Sequence, residues 1–442
     1  MRETATQVAR TLRAAGFEAL FAGGCVRDRL LGRPVNDYDV ATSATPDEVQ
    51  AHFAKTVAVG AAFGVVLVVE DGVEVEVATF REDLGYADGR HPEAVRFTDA
   101  KEDARRRDFT VNGMFEDPET GEILDFVDGR ADLARRCIRA IGDPRARFRE
   151  DRLRMLRAVR FATVLDFTID PDTRAAVDAE AEHIRDVSAE RIRDELTKLL
   201  VSGRGGRGLG LLLDTGLLAR VLPEAVAMHR CEHYTPFHPE GDVMTHTRML
   251  LDDLREADPA LAWAALLHDI AKPVTVHWTD RGRRSFARHA AVGAEMSVEI
   301  LERLRFPRKF IEQVESLVAQ HMTFPTVSDM RTARQRRFLL QEDFTRHLEL
   351  HRMDCEACHR DLRIHQWARE ERARLDAEPP PIQPFLSGGD LIAMGFRPGP
   401  LFREMLEALK DAQLTGDVAD RAQADAFIRA RYGAALAKEN EA

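Results

Sequence analysis

The chain has 442 residues, 44% apolar and 31% charged, with a formal net charge of −12. That balance excludes a collagen-like, disulfide-scaffold or wholly disordered chain, and the length predicts several structural units. Five scattered cysteines (Cys25, Cys137, Cys231, Cys355, Cys358) and no apolar run long enough to span a bilayer lead us to expect a cytoplasmic protein without disulfides.

In chain order, Thr6 to Ala15 reads as a helix ending near Gly16, and Phe17 to Ala22 as a strand running into the turn Gly23-Gly24. Val26 to Leu31 is a helical turn and Tyr38 to Ala41 a second strand. Pro46 to Phe53 is a helix with Thr45 as its N-cap. Val65 to Glu70 and Val73 to Val77 flank Asp71-Gly72, a strong hairpin signal. Ile123 to Phe126 is a further short strand. From about Asp132 the pattern turns helical, with apolar stripes at Leu153 to Val164 and Ile192 to Leu200. The Gly-rich piece Ser202 to Gly210 reads as a break between helices, and Val243 to about Arg374 as a long helical region. Pro379-Pro380-Pro381 marks a linker before two last helices.

Chemistry concentrates behind the Gly23-Gly24 turn. Glycine lets the backbone turn tightly there, and its N–H groups can approach a phosphate. Asp37 and Asp39 follow at i and i+2, a spacing that puts two carboxylates on one face of an extended segment. Such a pair can hold Mg²⁺, which takes oxygen ligands and substrate phosphates. Glu74 and Glu76 share one face of a strand-like run, and Glu76 is the preferred third ligand. Asp151 and Arg154 stand at i and i+3 on one face of an expected helix, a spacing that by itself reads as a surface ion pair. Arg135 to Arg160 holds ten arginines against three acids, the local basic field that an acidic chain needs to receive RNA backbone.

Taken in order, these segments resemble the class II tRNA nucleotidyltransferase and poly(A) polymerase family. The resemblance rests on Gly23–Thr42, Tyr86–Phe97, Ala104–Phe115 (ARRRDFTVNGMF), Leu124–Leu133, Glu150–Ala162 (EDRLRMLRAVRFA) and Ser188–Leu196 (SAERIRDEL). It departs from the family pattern at Gly113, where alanine is usual, and at Arg152. The resemblance implies an α+β fold. A polymerase-beta-like nucleotidyltransferase head, a small mixed sheet with helices, joins an extended all-helical body. It makes Asp37 and Asp39 the catalytic Mg²⁺ ligands, to which the strand reading adds Glu76, ahead of Glu74, as the third catalytic residue. Gly23, Gly24, Arg27, Arg107, Asp108, Asn112, Asp151, Arg154, Arg157 and Arg160 become the nucleotide-binding set. Within it, Arg107 and Asp108 serve triphosphate and ribose, and Asp151 and Arg154 read the base.

A second constellation, His246, His268-Asp269, His289, His321 and Asp354, resembles the HD-family phosphohydrolases, whose histidines and aspartates gather around one or two metals. It implies Mg or a transition metal (Ni, Mn, Fe or Zn) there. The expected layout is a catalytic head at 1–134, a neck for base recognition and RNA binding at 135–222, an HD-type domain at 223–378 and a tail at 379–442. The implied reaction is addition of C, C and A to the 3′ end of tRNA from CTP and ATP, with pyrophosphate released. No membrane and no obligate protein partner are expected. Within the family, A-only, CC-only or poly(A) addition shares the same motifs. The loop from Leu84 to His91 would bear on that choice. A metal-dependent HD phosphohydrolase, as the main or a second activity, is the alternative from another class.

Overall fold

The computed structural model describes every residue except 61–63, 87–91, 233–240, 281, 283, 378–382 and 440–442. The Pro379–Pro381 linker and most of the Leu84–His91 loop therefore lie outside the described residues. Two compact units emerge. One comprises Met1–Arg230, Thr247–Ala262 and Glu299–Pro307; the other comprises Cys231–His246, Trp263–Val298 and Arg308–Ala442.

The first unit opens with α1 (Arg2–Ala14), β1 (Ala19–Ala22), α2 (Gly24–Leu30), β2 (Val40–Thr42) and α3 (Pro46–His52). Then come β3 (Thr56–Gly60), β4 (Val65–Glu70), β5 (Val73–Thr79), β6 (Arg81–Tyr86) and β7 (Pro92–Phe97). After α4 (Ala100–Arg106), β8 (Met114–Glu116) and β9 (Ile123–Asp125) complete a seven-stranded sheet of order β3-β4-β5-β2-β1-β8-β9. It is mixed: β2 runs parallel to β5, and the other pairings are antiparallel. Asp71 (φ 51°) and Gly72 (φ 77°) make the expected hairpin turn, and Thr45 with Glu48 caps α3 reciprocally. Alternation sets the core side: Val66, Val68, Val75 and Val77 are buried, whereas Glu74 and Glu76 face out. β6 and β7 pair as a separate hairpin that the sequence reading did not foresee.

Helices follow: α5 (Gly129–Arg135), α6 (Pro144–Glu150), α7 (Arg154–Leu165), α8 (Pro171–Glu180), α9 (Ala189–Leu200), α10 (Gly205–Asp214), α11 (Leu218–Val221) and α12 (Pro223–Val226). A two-residue parallel pair, β10 (Cys137–Ile138) and β11 (Thr168–Ile169), lies among them. The expected helix through Asp151 and Arg154 is broken. Asp151 is the extended C-cap of α6, and Arg154 is the first residue of α7.

The Gly-rich piece is a break only at its start, where residues 201–204 turn between α9 and α10. Gly205 to Asp214 is a helix, because its glycines give it neighbours that larger residues would repel. A Cβ on Gly206 would overlap the Arg248 carbonyl oxygen, one on Gly208 the Leu199 side chain, and one on Gly210 the Arg248 guanidinium. Close packing repays the poor helix propensity of glycine. Gly206→Ala is therefore expected to destabilise the fold by about 3 kcal/mol. The readout is the midpoint of thermal unfolding.

The rest of the chain is α13 (Val243–Asp252), α14 (Pro259–Leu267), α15 (Lys272–Thr275), β12 (His277–Trp278), β13 (Arg284–Ser285), α16 (His289–Arg303), α17 (Arg308–Gln320), α18 (Phe324–Val327), α19 (Thr332–Leu339), α20 (Phe344–Ala357), α21 (Arg363–Ala377), α22 (Gly388–Ala393), α23 (Pro400–Thr415) and α24 (Arg421–Glu439). The β12–β13 hairpin interrupts what reads in sequence as a long helical region. α14 is apolar all round, and its Trp263 is wholly buried. Two aromatic and aliphatic clusters hold this second unit together, one around Phe324, Phe338 and Phe344 and one around Leu391, Met405 and Ile428. No described helix is long and apolar enough to cross a membrane.

Candidate functional site

In the first unit a cleft of about 470 Å³ opens where β1 meets α2. Its lining includes Gly23, Gly24, Asp39, Asp108, Asp151 and Arg154. Gly23 takes φ 74°, open to glycine at no cost, and its N–H donates to the Met114 carbonyl oxygen at 3.2 Å. That amide is thus committed to the sheet, contrary to the expectation that both glycine amides face a phosphate. A Cβ there would also lie 3.0 Å from Arg107 Nη1.

Asp37 and Asp39 precede β2 rather than lying within it. Val40 of β2 is in register with Val77 of β5, so Asp39 and Glu76 stand side by side, with Glu74 further along. Burial, together with the Glu76 and Asp37 charges, outweighs Arg107 and pushes the Asp39 carboxyl up to about 6. Asp39, Glu76 and Asp37 offer oxygen donors only, the chemistry a hard divalent cation takes, and among the described residues their ligand atoms are not drawn together as those of the histidine cluster are. Asp37 is exposed and lies outside the lining of the cleft.

The far wall is a network of arginines and acids. Asp108 Oδ1 accepts from the Phe109 N–H (2.8 Å) and Asn112 Nδ2 (3.1 Å), and its Oδ2 accepts from Arg157 Nε (2.8 Å). Burial alone would raise Asp108, but Arg157 and the Asn112 hydrogen bond pull it down to about 2. Arg27 donates to Asn112 Oδ1 at 2.6 Å. Arg107 is clamped on Asp103 (3.0 Å) and stacks over Phe115. Arg154 Nη1 donates to Glu150 (2.6 Å) and to the Arg147 carbonyl (3.0 Å). Asp151 is gripped by both Arg191 terminal nitrogens, at 2.8 and 3.1 Å. Asp151 and Arg154 thus share the cleft, each aimed by its own partner. Arg160 is drawn off to Glu195 (2.5 Å) over the Phe161 ring and does not line the cleft.

The second unit gathers the histidines. His246, His268 and Asp269 bring ligand atoms within 4.8 Å of one another, and so do Asp269, His289 and His321. Asp269 belongs to both groups. Three rings share one orientation device. Nδ1 of His268, His289 and His321 bonds the carbonyl oxygen three residues back, at 2.9, 2.8 and 2.7 Å. Each Nε2 is thereby turned inward as a lone-pair donor, the arrangement that metal-binding histidines need. The His289 and His321 Nε2 atoms lie 3.1 Å apart, a pair of nitrogen donors that a cation between them would join. Asp354 sits 3.0 Å from His246 Nε2, outside both groups. A cavity of about 670 Å³ opens over the cluster, with Lys272, Arg284 and Arg288 among its lining residues.

Burial lowers His321 from 6.5 to about 4, more than nearby Asp269 can offset, and His289 is lowered too. Unfolded histidine protonates near 6.5 while these stay neutral, so the metal-free fold is expected to lose stability as pH falls from about 6.5 towards 4. Thermal melts in chelator across that range check the sign, and bound metal should flatten the profile.

Comparison with known proteins follows the same division. The family model for the poly A polymerase head domain matches residues 19–139, that for a probable RNA and SrmB-binding site of polymerase A matches 166–228, and that for the HD domain matches 241–364. The CCA-adding enzyme of Levilactobacillus brevis is 48% identical over 216 residues, 49% of this chain and 54% of that one. The chain spans about half the length of several curated relatives that it matches in this way. That of Geobacillus sp. (strain WCH70) is 33% identical over 94% of this chain and 93% of the relative. The chain belongs to the CCA-adding enzyme family. The crystal structure of the Bacillus stearothermophilus CCA-adding enzyme in complex with CTP aligns over 100% of this chain and 99% of that one, at 30% identity and TM-score 0.77.

Within this CCA-adding enzyme family member, Asp37, Asp39, Glu76 and Asp108 fall in the matched head, and the histidine cluster falls in the matched HD domain. Asp151 and Arg154 lie between matched regions, on the α6–α7 junction. Gly113, where the family usually has alanine, has a local reason: a Cβ would come 2.7 Å from Val127 Cγ2. Sequence reasoning missed Glu150, Arg191 and Glu195, the groups that hold Arg154, Asp151 and Arg160. For Glu150 the signal was available as an i,i+4 acid–arginine pair. Arg191 stands 40 residues from its partner and gives no local signal.

Proposed function

We propose that the chain adds C, C and A to the 3′ end of tRNA from CTP and ATP, releasing pyrophosphate. One observation carries the reading. The same cleft that holds Asp39 of the carboxylate group is lined on its far wall by a carboxylate and a guanidinium, each separately fixed. Asp37, Asp39 and Glu76 would hold Mg²⁺, which when bound lowers the pKa of the attacking hydroxyl and neutralises the leaving pyrophosphate. The tRNA 3′-hydroxyl attacks the α-phosphate in line. Asp108 lines the cleft and accepts from Asn112, Arg157 and the Phe109 amide, so it holds Arg157 and Asn112 beside the nucleotide while keeping acceptor capacity for the ribose. Asp151 and Arg154 present an acceptor and donors to the Watson–Crick edge in place of a template.

The test is gel-resolved extension of a tRNA lacking CCA, with Mg²⁺ and CTP, ATP or both. Two additions with CTP and one more with ATP, abolished by D37A/D39A, are expected. Addition of A alone to a tRNA ending in CC, CC alone, or an unlimited A ladder would replace the reading by the corresponding partial or poly(A) activity.

The HD cluster supports a second activity, hydrolysis of terminal or cyclic phosphates. The observation is the shared Asp269 beneath a cavity with basic residues in its wall. Imidazole and carboxylate ligands suit Ni, Mn, Fe, Zn or Mg. Asp269→Asn is expected to lower metal affinity by about 100-fold or more. Nucleotide addition should stay intact. Metal content and hydrolysis of an RNA ending in 2′,3′-cyclic phosphate give the readout; an unchanged metal content would remove the reading.

A further inference from the structure

Three arginines converge on one carboxylate at the C-terminal end of α7, and a fourth bonds a carbonyl of its last turn. Asp166 occupies a left-handed turn there, at φ 57°. Arg136, Arg204 and Arg207 each approach its carboxylate, at 3.2, 3.4 and 3.3 Å. Arg33 donates to the Val164 carbonyl at 3.1 Å. Part of this is helix capping, since Arg33, Arg136 and Arg207 also bond the carbonyls of Val164, Asp166 and Phe167. Capping leaves a surplus. One carboxylate and the partial negative charge of a helix end offset fewer than two of four guanidinium charges. The Arg136 and Arg204 side chains stay at least half exposed, around a hollow of about 320 Å³.

Position identifies what this surplus would attract. α2 begins at Gly24 in the nucleotide cleft, and Leu31 just beyond its end lines the hollow. α7 begins at Arg154 in the cleft, and Val164 and Leu165 at its end line the same hollow. Two helices therefore run from one site to the other, and α7, with 12 residues, separates them by about 16 Å. A strand with its 3′ terminus in the cleft has backbone phosphates a few nucleotides back at that reach. Guanidinium is the group best matched to phosphate oxygens.

We propose that Arg33, Arg136 and Arg204, which line the hollow, form a cradle for backbone phosphates of the RNA strand being extended, with Arg207 adding its charge from behind Asp166. The proposal rests on the nucleotidyl-transfer reading above. Asp166 is the spacer that holds the guanidiniums apart while the cradle is empty.

The test pairs a loss with a gain. For R136A/R204A, binding of a tRNA lacking CCA should weaken about tenfold, and the slope of log affinity against log salt should shrink by about one per lost contact. KM for CTP should hold on a primer of a few nucleotides, too short to reach the cradle. Asp166→Asn keeps a residue that tolerates the left-handed turn and removes the opposing charge, so it should tighten tRNA binding. A purely structural cluster would instead lose stability in both variants, with neither affinity nor salt slope moved, and that result overturns the proposal. So does a thermal shift with inorganic phosphate that R136A/R204A abolishes while RNA affinity stays unchanged, because it assigns the cradle to a free anion. Wild-type protein that binds but never extends tRNA would remove the nucleotidyl-transfer reading and leave the cradle standing on the binding data.

Discussion

Asp39→Asn should abolish nucleotide addition and, in the absence of metal, make the protein more stable. The loss of activity is expected to be on the order of 10³-fold or more, since a carboxylate ligand of a catalytic cation supports several kcal/mol of the barrier reduction. The gain in stability follows from the crowding of Asp39 by burial, Glu76 and Asp37. Its carboxyl is held near 6 in the fold against an ordinary 3.8. A raised acid binds its proton more tightly in the folded state, so stability is lost as pH rises from about 4 through 6 and stays lost above. The penalty at pH 7.5 is about 2 kcal/mol once solvent screening is allowed for. Melts in chelator should show the asparagine variant ahead at pH 7.5 and level with wild type at pH 4. Added Mg²⁺ should raise the wild-type midpoint at pH 7.5 and leave the variant where it is. A variant that melts no higher than wild type in chelator at pH 7.5 would show that the three carboxylates do not repel one another.

Arg154→Ala is the second large effect, and it bears on fidelity. Arg154 is 9% exposed and fixed by Glu150 and two backbone carbonyls, so its head group has little freedom. A bidentate contact to a base edge discriminates by about 1–3 kcal/mol, or roughly 5- to 150-fold. The variant should lose that factor in the ratio of kcat/KM for CTP over UTP and for ATP over GTP. Glu150→Gln should lose part of the same factor with the guanidinium still present, because Glu150 aims it. That outcome separates base reading from bulk packing. If both variants lower kcat/KM equally for all four nucleotides, Arg154 binds phosphate or braces the neck instead of reading bases.

What was legible in the sequence was local. The Asp71-Gly72 hairpin, the Thr45 cap and the alternating face of β5 follow from rules that act over two to four residues. The six motifs placed the cleft, and the register of β2 against β5 then set Glu76 rather than Glu74 beside Asp39. Partners were not legible. Asp151 and Arg154 read as an i,i+3 pair on one helix, whereas each is held by a different group and the helix ends between them. Arg160, in the same arginine run as Arg157, was drawn to Glu195, a choice made by tertiary position and not by spacing. The glycines of α10 misled for a related reason: propensity counts the local penalty of glycine and is blind to the backbone that only glycine admits.

That packing also sets an order of events. The first unit is not finished at Arg230, since it includes Thr247–Ala262 and Glu299–Pro307. The Arg248 backbone that fits against Gly206 is made some forty codons after the glycine it covers. On a ribosome moving at about 5–20 residues per second, the first unit must wait for seconds with α10 uncovered before its last segment emerges. A chain cut after Arg230 would keep every residue of the cleft and still lack the surface that closes over those glycines. The residues that line the cleft come from one stretch of sequence; the unit that holds them does not.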